Sequence, residues 1–388
     1  MWGGWYAISM FIHRRLALTR DLERKSVLLL GPRRTGKTAL VRSLSPDRTY
    51  DLLQADVFQA LSARPSLIRE ALRPTDRLIA VDEIQKLPVL MDEIHGLIES
   101  TQARFLLTGS SARKLRRTHT SLLAGRARTH VLFPFVSSEL GELDLDRALH
   151  TGLLPPIWLS DDPWDELRDY VGTYLREEIQ AEALVRKLPA FSRFVTRAAQ
   201  SNAELLNFES VARDAQVPAR TIREYYQILV DTHLGQLVEP LDTPARKAVS
   251  HARFYFFDTG VVHRLVGRRS LPEGTPEYGA AFESFLCHEL SAWRSYTRSD
   301  QTLNFWRTRD GQEVDFVLGG TVGIEAKSTR LATERDTRGL RRLNEAHPLR
   351  RRLVVCRDPH RRAIDGVEIW PWREFLEGLW AGEFADPA

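Results

Sequence analysis

Residues 31–38 read Gly-Pro-Arg-Arg-Thr-Gly-Lys-Thr and directly follow a short apolar run, Ser26 to Leu30. The string matches the pattern G-x-x-x-x-G-K-[ST] and lies between a predicted strand and a predicted helix. Its glycines let successive backbone N–H groups converge, and the helix N-terminus adds the positive end of its dipole. Such a turn is suited to hold the phosphates of a nucleotide. A glycine-rich turn that only caps the helix is the alternative explanation.

The positions in this loop have distinct predicted roles. Lys37 would reach the β- and γ-phosphates of a bound ATP, and the Thr38 hydroxyl would bind its Mg²⁺. The remaining positions would surround the phosphates; they are Gly31, Pro32, Arg33, Arg34, Thr35 and Gly36. The loop therefore predicts ATP and Mg²⁺ as ligands.

A second buried strand ends in two carboxylates. The run Leu-Ile-Ala-Val at 78–81 precedes Asp82 and Glu83. Asp82 would hold the Mg²⁺ through its water shell, and Glu83 would polarise the attacking water. Because an apolar run that ends in Asp-Glu is common, this interpretation depends on the phosphate-binding loop that precedes it.

Two further residues are candidates for contact with the γ-phosphate. A third strand, at 105–107, is followed by Thr-Gly-Ser-Ser. The hydroxyl of Ser110 either senses the γ-phosphate or belongs to an ordinary turn. Arg126 either supplies positive charge to the γ-phosphate, from the same chain or from a second copy, or is one of many surface arginines.

The composition excludes several classes of protein. With 388 residues, 43% of them apolar, the chain can form two or three domains with substantial cores. No apolar run approaches the ~20 residues of a membrane span. Cys287 and Cys356 are the only cysteines, and their number and spacing indicate a reducing, cytoplasmic compartment. Residues 1–20 are expected to form an N-terminal extension, flexible at its start, or to include residues ahead of a true start at Met10.

The net charge of +4 is a weak indicator of a polyanionic partner, but the charge is unevenly distributed. Residues 104–130 contain seven arginines and lysines and no acidic residue, and residues 330–362 contain eleven arginines. Either stretch could bind DNA, and either could equally be a solvated face.

The hydrophobic pattern divides the chain into three regions. Alternating strands and helices from 21 to 155 predict an α/β domain with a parallel sheet covered by helices. Residues 156–240 are predicted to be helical, and 208–214 and 219–231 have helix-turn-helix spacing. From 241 to 388 the pattern changes to strands and hairpins, which predicts a further domain.

This last region contains a second constellation of polar residues. Asp315 and Glu325 lie on two predicted strands joined by a Gly-Gly turn. A two-residue loop would place the two carboxylates on opposite faces, whereas a three- or five-residue loop sets Asp315 directly across from Glu325. We predict the second register, because the apolar residues of both strands then share a buried face.

Directly opposed carboxylates repel each other unless a cation lies between them. A divalent ion, Mg²⁺ or Mn²⁺, would remove the repulsion, since both prefer hard oxygen ligands. Lys327 could then orient the attacking water or stabilise a pentavalent phosphate. Glu283, on a predicted helix, either completes the metal shell or faces solvent. The alternative is a solvated hairpin face with a surface pair between Glu313 and Lys327.

Together these strings resemble a large prokaryotic family of AAA+-type ATP-binding proteins, whose ATPase domain precedes a C-terminal domain of unassigned function. The matching strings lie at 31–38, 81–85, 106–111, 123–126, 174–179, 254–260, 282–285 and 313–318. The resemblance implies a P-loop ATPase, a winged-helix segment, and a terminal domain similar to the PD-(D/E)XK nucleases. In that nuclease fold the Asp and the Glu-x-Lys bind metal, which implies Asp315, Glu325 and Lys327 here. The turn at 152–155, Gly-Leu-Leu-Pro, departs from the Gly-Gly-x-Pro of relatives.

Two functional hypotheses follow. In the first, an ATP-driven enzyme acts on DNA and cleaves it at the metal site. In the second, ATP controls a switch whose nuclease-like fold only binds. The helix-turn-helix carries both acidic and basic residues, so it either contacts DNA or relays the nucleotide state between its neighbours. A homo-oligomer or a protein partner is compatible with both hypotheses, and no membrane partner is expected.

Overall fold

The computed structural model describes residues 12–110, 125–174, 188–242 and 251–385. Its helices are α1 (Thr19–Leu22), α2 (Lys37–Ser43), α3 (Ala55–Ala63), α4 (Leu67–Ala71), α5 (Leu90–Ser100), α6 (Leu145–Thr151), α7 (Pro155–Trp158), α8 (Pro163–Asp169), α9 (Leu188–Gln200), α10 (Phe208–Ala215), α11 (Ala219–Asp231), α12 (Thr259–Val266), α13 (Pro276–Thr297), α14 (Glu334–Ala346) and α15 (Trp372–Ala381). None of these described helices is long and apolar enough to cross a membrane.

The described strands form two sheets. They are β1 (Ser26–Leu30), β2 (Arg48–Asp51), β3 (Leu78–Asp82), β4 (Arg104–Gly109), β5 (Ala127–Val131), β6 (Gly235–Pro240), β7 (Arg253–Phe256), β8 (Leu303–Arg307), β9 (Glu313–Leu318), β10 (Val322–Ala326), β11 (Arg351–Cys356), β12 (Arg362–Ile364) and β13 (Val367–Pro371). The first sheet has the order β2-β3-β4-β1-β5, and the second has the order β12-β13-β11-β10-β9-β8-β6-β7.

All neighbouring strands of the first sheet are parallel, as the sequence pattern predicts. Apolar residues of α3, α4 and α5 cover one face, and those of α1 and α2 cover the other. Because both faces are buried, the central strands are apolar throughout, which explains the run from Ser26 to Leu30. Strand β4 lies between β1 and β3, so the carboxyl ends of these three strands meet at one edge.

The second sheet is mixed and occupies the C-terminal region. Its strands pair antiparallel except at β10–β11, β11–β13 and β6–β8, which pair in parallel. Helices α13 and α15 pack on one face, and α14 covers the other. The predicted strands and hairpins of this region are confirmed, and both faces of the sheet are buried.

Helices α10 and α11 confirm the predicted helix-turn-helix layout to within one residue at each end. Gln216 ends α10 in the left-handed region, and Pro218 precedes α11. Aromatic rings from α9 and α11 meet in the core of this bundle, where Phe194 and Tyr226 lie 4.9 Å apart. Strands β6 and β7 follow as an antiparallel pair.

The packing crosses the predicted domain limits at 155 and 240, and these limits remain predictions. Helix α6 and the preceding Phe135 are part of the C-terminal core, together with α13 and α15. Strands β6 and β7 connect the helical bundle to the second sheet. Within the predicted N-terminal extension, Leu16 and Leu18 are buried beneath the first sheet; residues 1–11 lie outside the described ranges.

The turn that departs from the family pattern is held by a buried carboxylate. Gly152 ends α6 with a φ of 78°, and Asp258 accepts the backbone N–H of Leu153 at 2.7 Å. The same carboxylate caps α12 by accepting the N–H of Val261 at 3.1 Å. Asp258 therefore joins the turn at 152–155 to α12 in the C-terminal half of the chain.

Candidate functional site

The loop between β1 and α2 has the backbone that the sequence predicts. Gly31 has a φ of 146°, and a Cβ there would lie 2.4 Å from the carbonyl oxygen of Leu132. Only glycine fits this close approach, because any side chain would strike the backbone. Helix α2 begins at Lys37, so its first N–H groups point into the loop. The loop thus has the form of an anion-binding turn.

The predicted ligand groups converge at the mouth of this loop. The Lys37 ammonium is buried and donates to the carbonyls of Gly31 and Pro32 at 2.8 and 2.9 Å. The Thr38 hydroxyl donates to a carboxylate oxygen of Asp82 at 2.6 Å. A hydroxyl and a carboxylate in contact beside a buried ammonium fit a Mg²⁺–triphosphate, whose charges need both kinds of partner.

The polar residues at the ends of β3 and β4 form one network. Thr108 donates from its hydroxyl to Asp82 and accepts the N–H of Glu83. Glu83 has a φ of 60°, and its buried carboxylate accepts a hydrogen bond from Gln85. Gln85 also donates to the Ser110 hydroxyl at 3.1 Å. The structure therefore brings the predicted Asp82, Glu83 and Ser110 together, with Thr108 and Gln85 as members that the sequence did not identify.

Arg126 does not reach this loop within one chain, so that prediction is wrong. Strands β1 and β5 are parallel, with Ser26 opposite Ala127. Arg126 precedes β5 and lies at the edge of the sheet opposite the loop, roughly 15 Å away at 3.3 Å per residue. Its guanidinium pairs with Glu99 of α5 at 2.5 Å, and both side chains are exposed. Action on a second copy of the chain remains a prediction.

Two arginines connect the loop to other parts of the chain. Arg14 is buried and donates to the Thr35 carbonyl at 2.5 Å, to the Phe133 carbonyl at 2.7 Å, and to Glu139 at 3.0 Å. Arg34 pairs with Glu166 of α8 at 2.6 Å. No sequence pattern pointed to Arg14, because its partners are up to 125 residues away.

In the second sheet, the predicted hairpin register is confirmed. Leu318 pairs with Val322 and Phe316 with Ile324, so a three-residue turn sets Asp315 across from Glu325. Two residues of β9, Asp315 and Phe316, oppose the single Phe305 of β8. This bulge breaks the alternation of β9 at the position of the carboxylate.

The alternative of a solvated hairpin face is wrong. Asp315 and Glu325 are only 4% and 6% exposed. Lys327 pairs with Glu325 at 2.6 Å, and Glu313 pairs instead with Arg253 and Arg307 at 2.8 and 3.1 Å. One oxygen of Asp315 accepts the backbone N–H of Ala326 at 2.9 Å. The predicted residues thus form a buried polar centre, which we call the C-terminal carboxylate cluster: Glu283, Glu313, Asp315 and Glu325.

Arg253 of β7 lies inside this cluster, and the sequence analysis did not identify it. One terminal nitrogen lies 2.9 Å from Glu283 and 3.4 Å from Asp315. The hydroxyl of Tyr255 also donates to Glu283, at 2.5 Å. Within the described ranges, no three His, Cys, Asp or Glu side chains are arranged to hold a metal ion. The predicted shell of Glu283 with Asp315 and Glu325 is therefore not assembled, because Glu283 turns to Arg253.

Burial controls the ionisation of the cluster. It raises the pKa of Glu283 and of Glu325 well above the usual range of a carboxyl, and the nearby charge of Asp315 adds to the effect. Glu325 Oε2 is buried and has no hydrogen-bond partner among the residues that the structure describes. An unpartnered carboxylate oxygen beside a second carboxylate fits a single divalent ion held by Asp315 and Glu325.

Comparison with known families divides the chain into three matched stretches. Residues 23–141 match a family described as an AAA domain. Residues 142–271 and 278–375 match two domains of unknown function, DUF8612 and DUF4143. The first match agrees with the loop and the parallel sheet, and residues 23–141 form an AAA+ P-loop ATPase domain, which implies ATP and Mg²⁺ as its ligands. Among curated protein sequences, none matches the chain.

Three of the solved structures that match this chain are only remotely similar to it. The Aeropyrum pernix ORC1 protein in complex with DNA is 14% identical, with 67% of this chain and 93% of that chain covered, at a TM-score of 0.29. Drosophila ORC bound to AT-rich DNA and Cdc6 is 9% identical, with coverages of 65% and 89% and a TM-score of 0.22. Can2 from Sulfobacillus thermosulfidooxidans in complex with cyclic tetra-adenylate is 9% identical, with coverages of 92% and 98% and a TM-score of 0.21. Such low scores carry no argument about this chain.

Proposed function

We propose that this chain is an ATP-hydrolysing switch that couples its nucleotide state to a DNA-associated, nuclease-like C-terminal domain. The observation that carries the proposal is the pair of contacts from Arg14 and Arg34, which join the phosphate-binding loop to distant parts of the chain. A conformational change in the loop would therefore alter contacts outside the ATPase sheet.

Each residue of the loop has a defined task in this proposal. Lys37 and the N–H groups at the start of α2 would hold the phosphates, and Thr38 with Asp82 would hold Mg²⁺. The bound Mg²⁺ would neutralise charge on the phosphates. Glu83 would orient the attacking water, with Gln85 fixing its carboxylate and Ser110 placed beside both.

Competition for Arg34 supplies the coupling. Arg34 is a residue of the loop, and its guanidinium pairs with Glu166 on α8 of the helical segment. A bound triphosphate brings several negative charges to the same loop and would draw Arg34 away from Glu166. Release of Glu166 would free α8 to change its position relative to the ATPase sheet.

The first experiment tests nucleotide binding and hydrolysis. Lys37→Ala should abolish ATP binding in calorimetry, because the buried ammonium and its contact with the phosphates are lost. Glu83→Gln should bind ATP with unchanged affinity and lose at least about 100-fold in hydrolysis, since the water loses its base. Unchanged ATP affinity of Lys37→Ala would refute the proposal.

DNA is the partner proposed for the C-terminal half. Support comes from the α10–α11 layout followed by the β6–β7 pair, an order of elements that winged helices share. The Arg220 side chain on α11 is 91% exposed. The arginines at 330–362 are weaker support, because seven of them pair with carboxylates: Arg330, Arg341, Arg342, Arg351, Arg357, Arg361 and Arg362.

Fluorescence anisotropy with labelled duplex DNA tests this part. Arg220→Glu with Arg223→Glu should weaken binding at least tenfold, whereas Arg168→Glu on α8 should have little effect. ATP and ADP should give different affinities for the wild type. Equal affinities of all three proteins, whichever nucleotide is bound, would contradict a DNA-associated switch.

A cytoplasmic location is part of the proposal. The two cysteines, Cys287 and Cys356, are buried and are not joined in a disulfide. Free buried thiols suit a reducing compartment. Retention of both free thiols in protein isolated from cells, measured by alkylation and mass spectrometry, tests this point.

The C-terminal carboxylate cluster favours a second candidate function, metal-dependent cleavage of DNA. Its support is the unpartnered Oε2 of Glu325, across from Asp315 and beside Lys327. These two carboxylates would hold Mg²⁺ or Mn²⁺, and Lys327 would orient a water or stabilise charge on the phosphate.

Plasmid cleavage tests this second function. Wild type with Mg²⁺ or Mn²⁺ should nick supercoiled plasmid, while Asp315→Asn and Lys327→Ala should not. Glu374→Gln, an exposed carboxylate on α15, is the matched control and should keep full activity. Absence of nicking by the wild type, with and without ATP, would leave the switch as the function of the chain.

A further inference from the structure

Arg253 is a buried cation to which neither proposed function assigns a role. Its side chain is 4% exposed and lies over the ring of Phe305, 4.8 Å from the centroid. It contacts three of the four members of the carboxylate cluster: Glu283, Glu313 and Asp315. Burying a guanidinium costs free energy of desolvation, and its three carboxylate partners offset that cost. These partners therefore determine where the guanidinium lies.

The guanidinium occupies the space where Glu283 would share an ion with Asp315. The same terminal nitrogen lies within 3.4 Å of both carboxylates. A divalent ion bridging these two side chains would have to take that place, and two cations at contact distance repel strongly at low dielectric. Glu283 is therefore withheld from any metal while Arg253 is present.

On the side of Asp315 that faces Glu325, the carboxylates have a different set of partners. Glu325 uses Oε1 for Lys327 and keeps Oε2 without a partner. Within the described ranges no arginine pairs with Glu325, so no guanidinium neutralises the charge that Asp315 and Glu325 share. Arg253 thus neutralises one side of Asp315, whereas on the other side Lys327 pairs with one oxygen of Glu325 and leaves the second oxygen for a further cation.

We infer that Arg253 is a fixed cation that takes the place of a second metal ion, so that the cluster binds one divalent ion through Asp315 and Glu325 only. This inference rests on the proposed metal-dependent function. Arg253 acts as a positioning residue: it holds Glu283 and Glu313 away and orients Asp315 toward Glu325. Since β7 follows the helical bundle in sequence and pairs with β6, the cation comes from the segment between the ATPase domain and the cluster.

Manganese titration followed by electron paramagnetic resonance tests the inference. All proteins are full-length and nucleotide-free, and all carry Asp82→Asn to remove the ion of the ATPase loop. The reference protein should bind one Mn²⁺ per chain. Glu325→Gln should weaken this binding at least about tenfold, as expected for loss of a ligand. Glu283→Gln should change it less than twofold.

The second part of the experiment removes the positive charge of Arg253. Arg253→Met should admit a second Mn²⁺, and Arg253→Met with Glu283→Gln should return the number to one. Circular dichroism checks that both variants fold; if Arg253→Met does not, the Glu283→Gln comparison decides alone.

The outcomes separate the two levels of the proposal. Two Mn²⁺ in the reference protein, or tenfold weaker binding by Glu283→Gln, would overturn the role of Arg253 and leave the metal site intact. No Mn²⁺ binding in any variant would refute the metal site itself, and the inference with it.

Discussion

A single buried carboxyl, Glu289, joins the segment after the ATPase sheet to the C-terminal core. It accepts hydrogen bonds from the backbone N–H and hydroxyl of Ser137 and from the indole of Trp380, all within 2.9 Å. Burial raises the pKa of Glu289 to about 7, although these donors oppose the shift. The carboxyl of Glu289 therefore binds its proton more tightly in the folded protein than in the unfolded chain.

Because the pKa of Glu289 is higher in the folded protein, the free energy of unfolding decreases as the pH rises. Stability from Glu289 is fully present below its unfolded pKa of about 4.5 and is lost as the pH rises through about 7. Glutamine imitates the protonated acid and does not titrate. From urea titrations, we expect the free energy of unfolding of the wild type to fall relative to Glu289→Gln by about 3 kcal/mol between pH 4 and 8. Glu374→Gln serves as control, and parallel curves for all three proteins would contradict the assignment.

At this scale, adjacency in sequence decided what could be predicted. The nucleotide loop could be predicted almost residue by residue, because its members are consecutive and glycine spacing determines its backbone. Arg14 and Arg253 could not, since their partners lie up to 125 and 62 residues away and only packing brings them together. The same holds for Glu283, whose partner in the structure is Arg253.

At the scale of the elements, α14 and β9 are in close contact at Gly339. A Cβ at this position would lie 1.9 Å from the carbonyl oxygen of Glu313. Glu313 begins the strand that carries Asp315, so the helix–strand contact supports the carboxylate cluster from behind.

Gly339→Ala and Gly96→Ala form a matched pair of helix substitutions. A Cβ at Gly96, on α5, meets no atom of the described residues within 4 Å. We expect Gly339→Ala to destabilise the protein by about 1–3 kcal/mol through overpacking, and Gly96→Ala to stabilise it by up to about 1 kcal/mol through helix propensity. Thermal melting of both variants checks this; equal shifts in Tm would show that α14 can move away from β9.

Local patterns were sufficient for the elements themselves. Apolar spacing placed α10 and α11 correctly, and the Gly-Gly turn with its apolar neighbours gave the register of β9 and β10. The order of strands in the second sheet, and the inclusion of β6 and β7 in it, were not predicted, because these pairings join segments far apart in the chain.

At the scale of the whole molecule, the salt bridge between Arg34 and Glu166 offers a direct test of coupling. Both side chains are partly exposed, so the pair is worth up to about 1 kcal/mol. If a triphosphate competes with Glu166 for Arg34, then Glu166→Gln should bind ATP about two- to fivefold more tightly. Calorimetry measures this change. Asp165→Asn, a neighbouring exposed carboxylate paired with Arg168, should leave the affinity unchanged. Weaker binding by Glu166→Gln would contradict the competition.

The placement of Phe135, Val136 and α6 in the C-terminal core has a practical consequence. A recombinant fragment cut where the AAA match ends, at residue 141, would carry Phe135 and Val136 away from the partners that cover them. Such a fragment would expose these apolar side chains to solvent and aggregate on expression. A fragment that starts at 142 would lack them and would have a cavity in its core. The chain therefore has to be expressed in full length, and the same shared core constrains recombination of its domains in evolution.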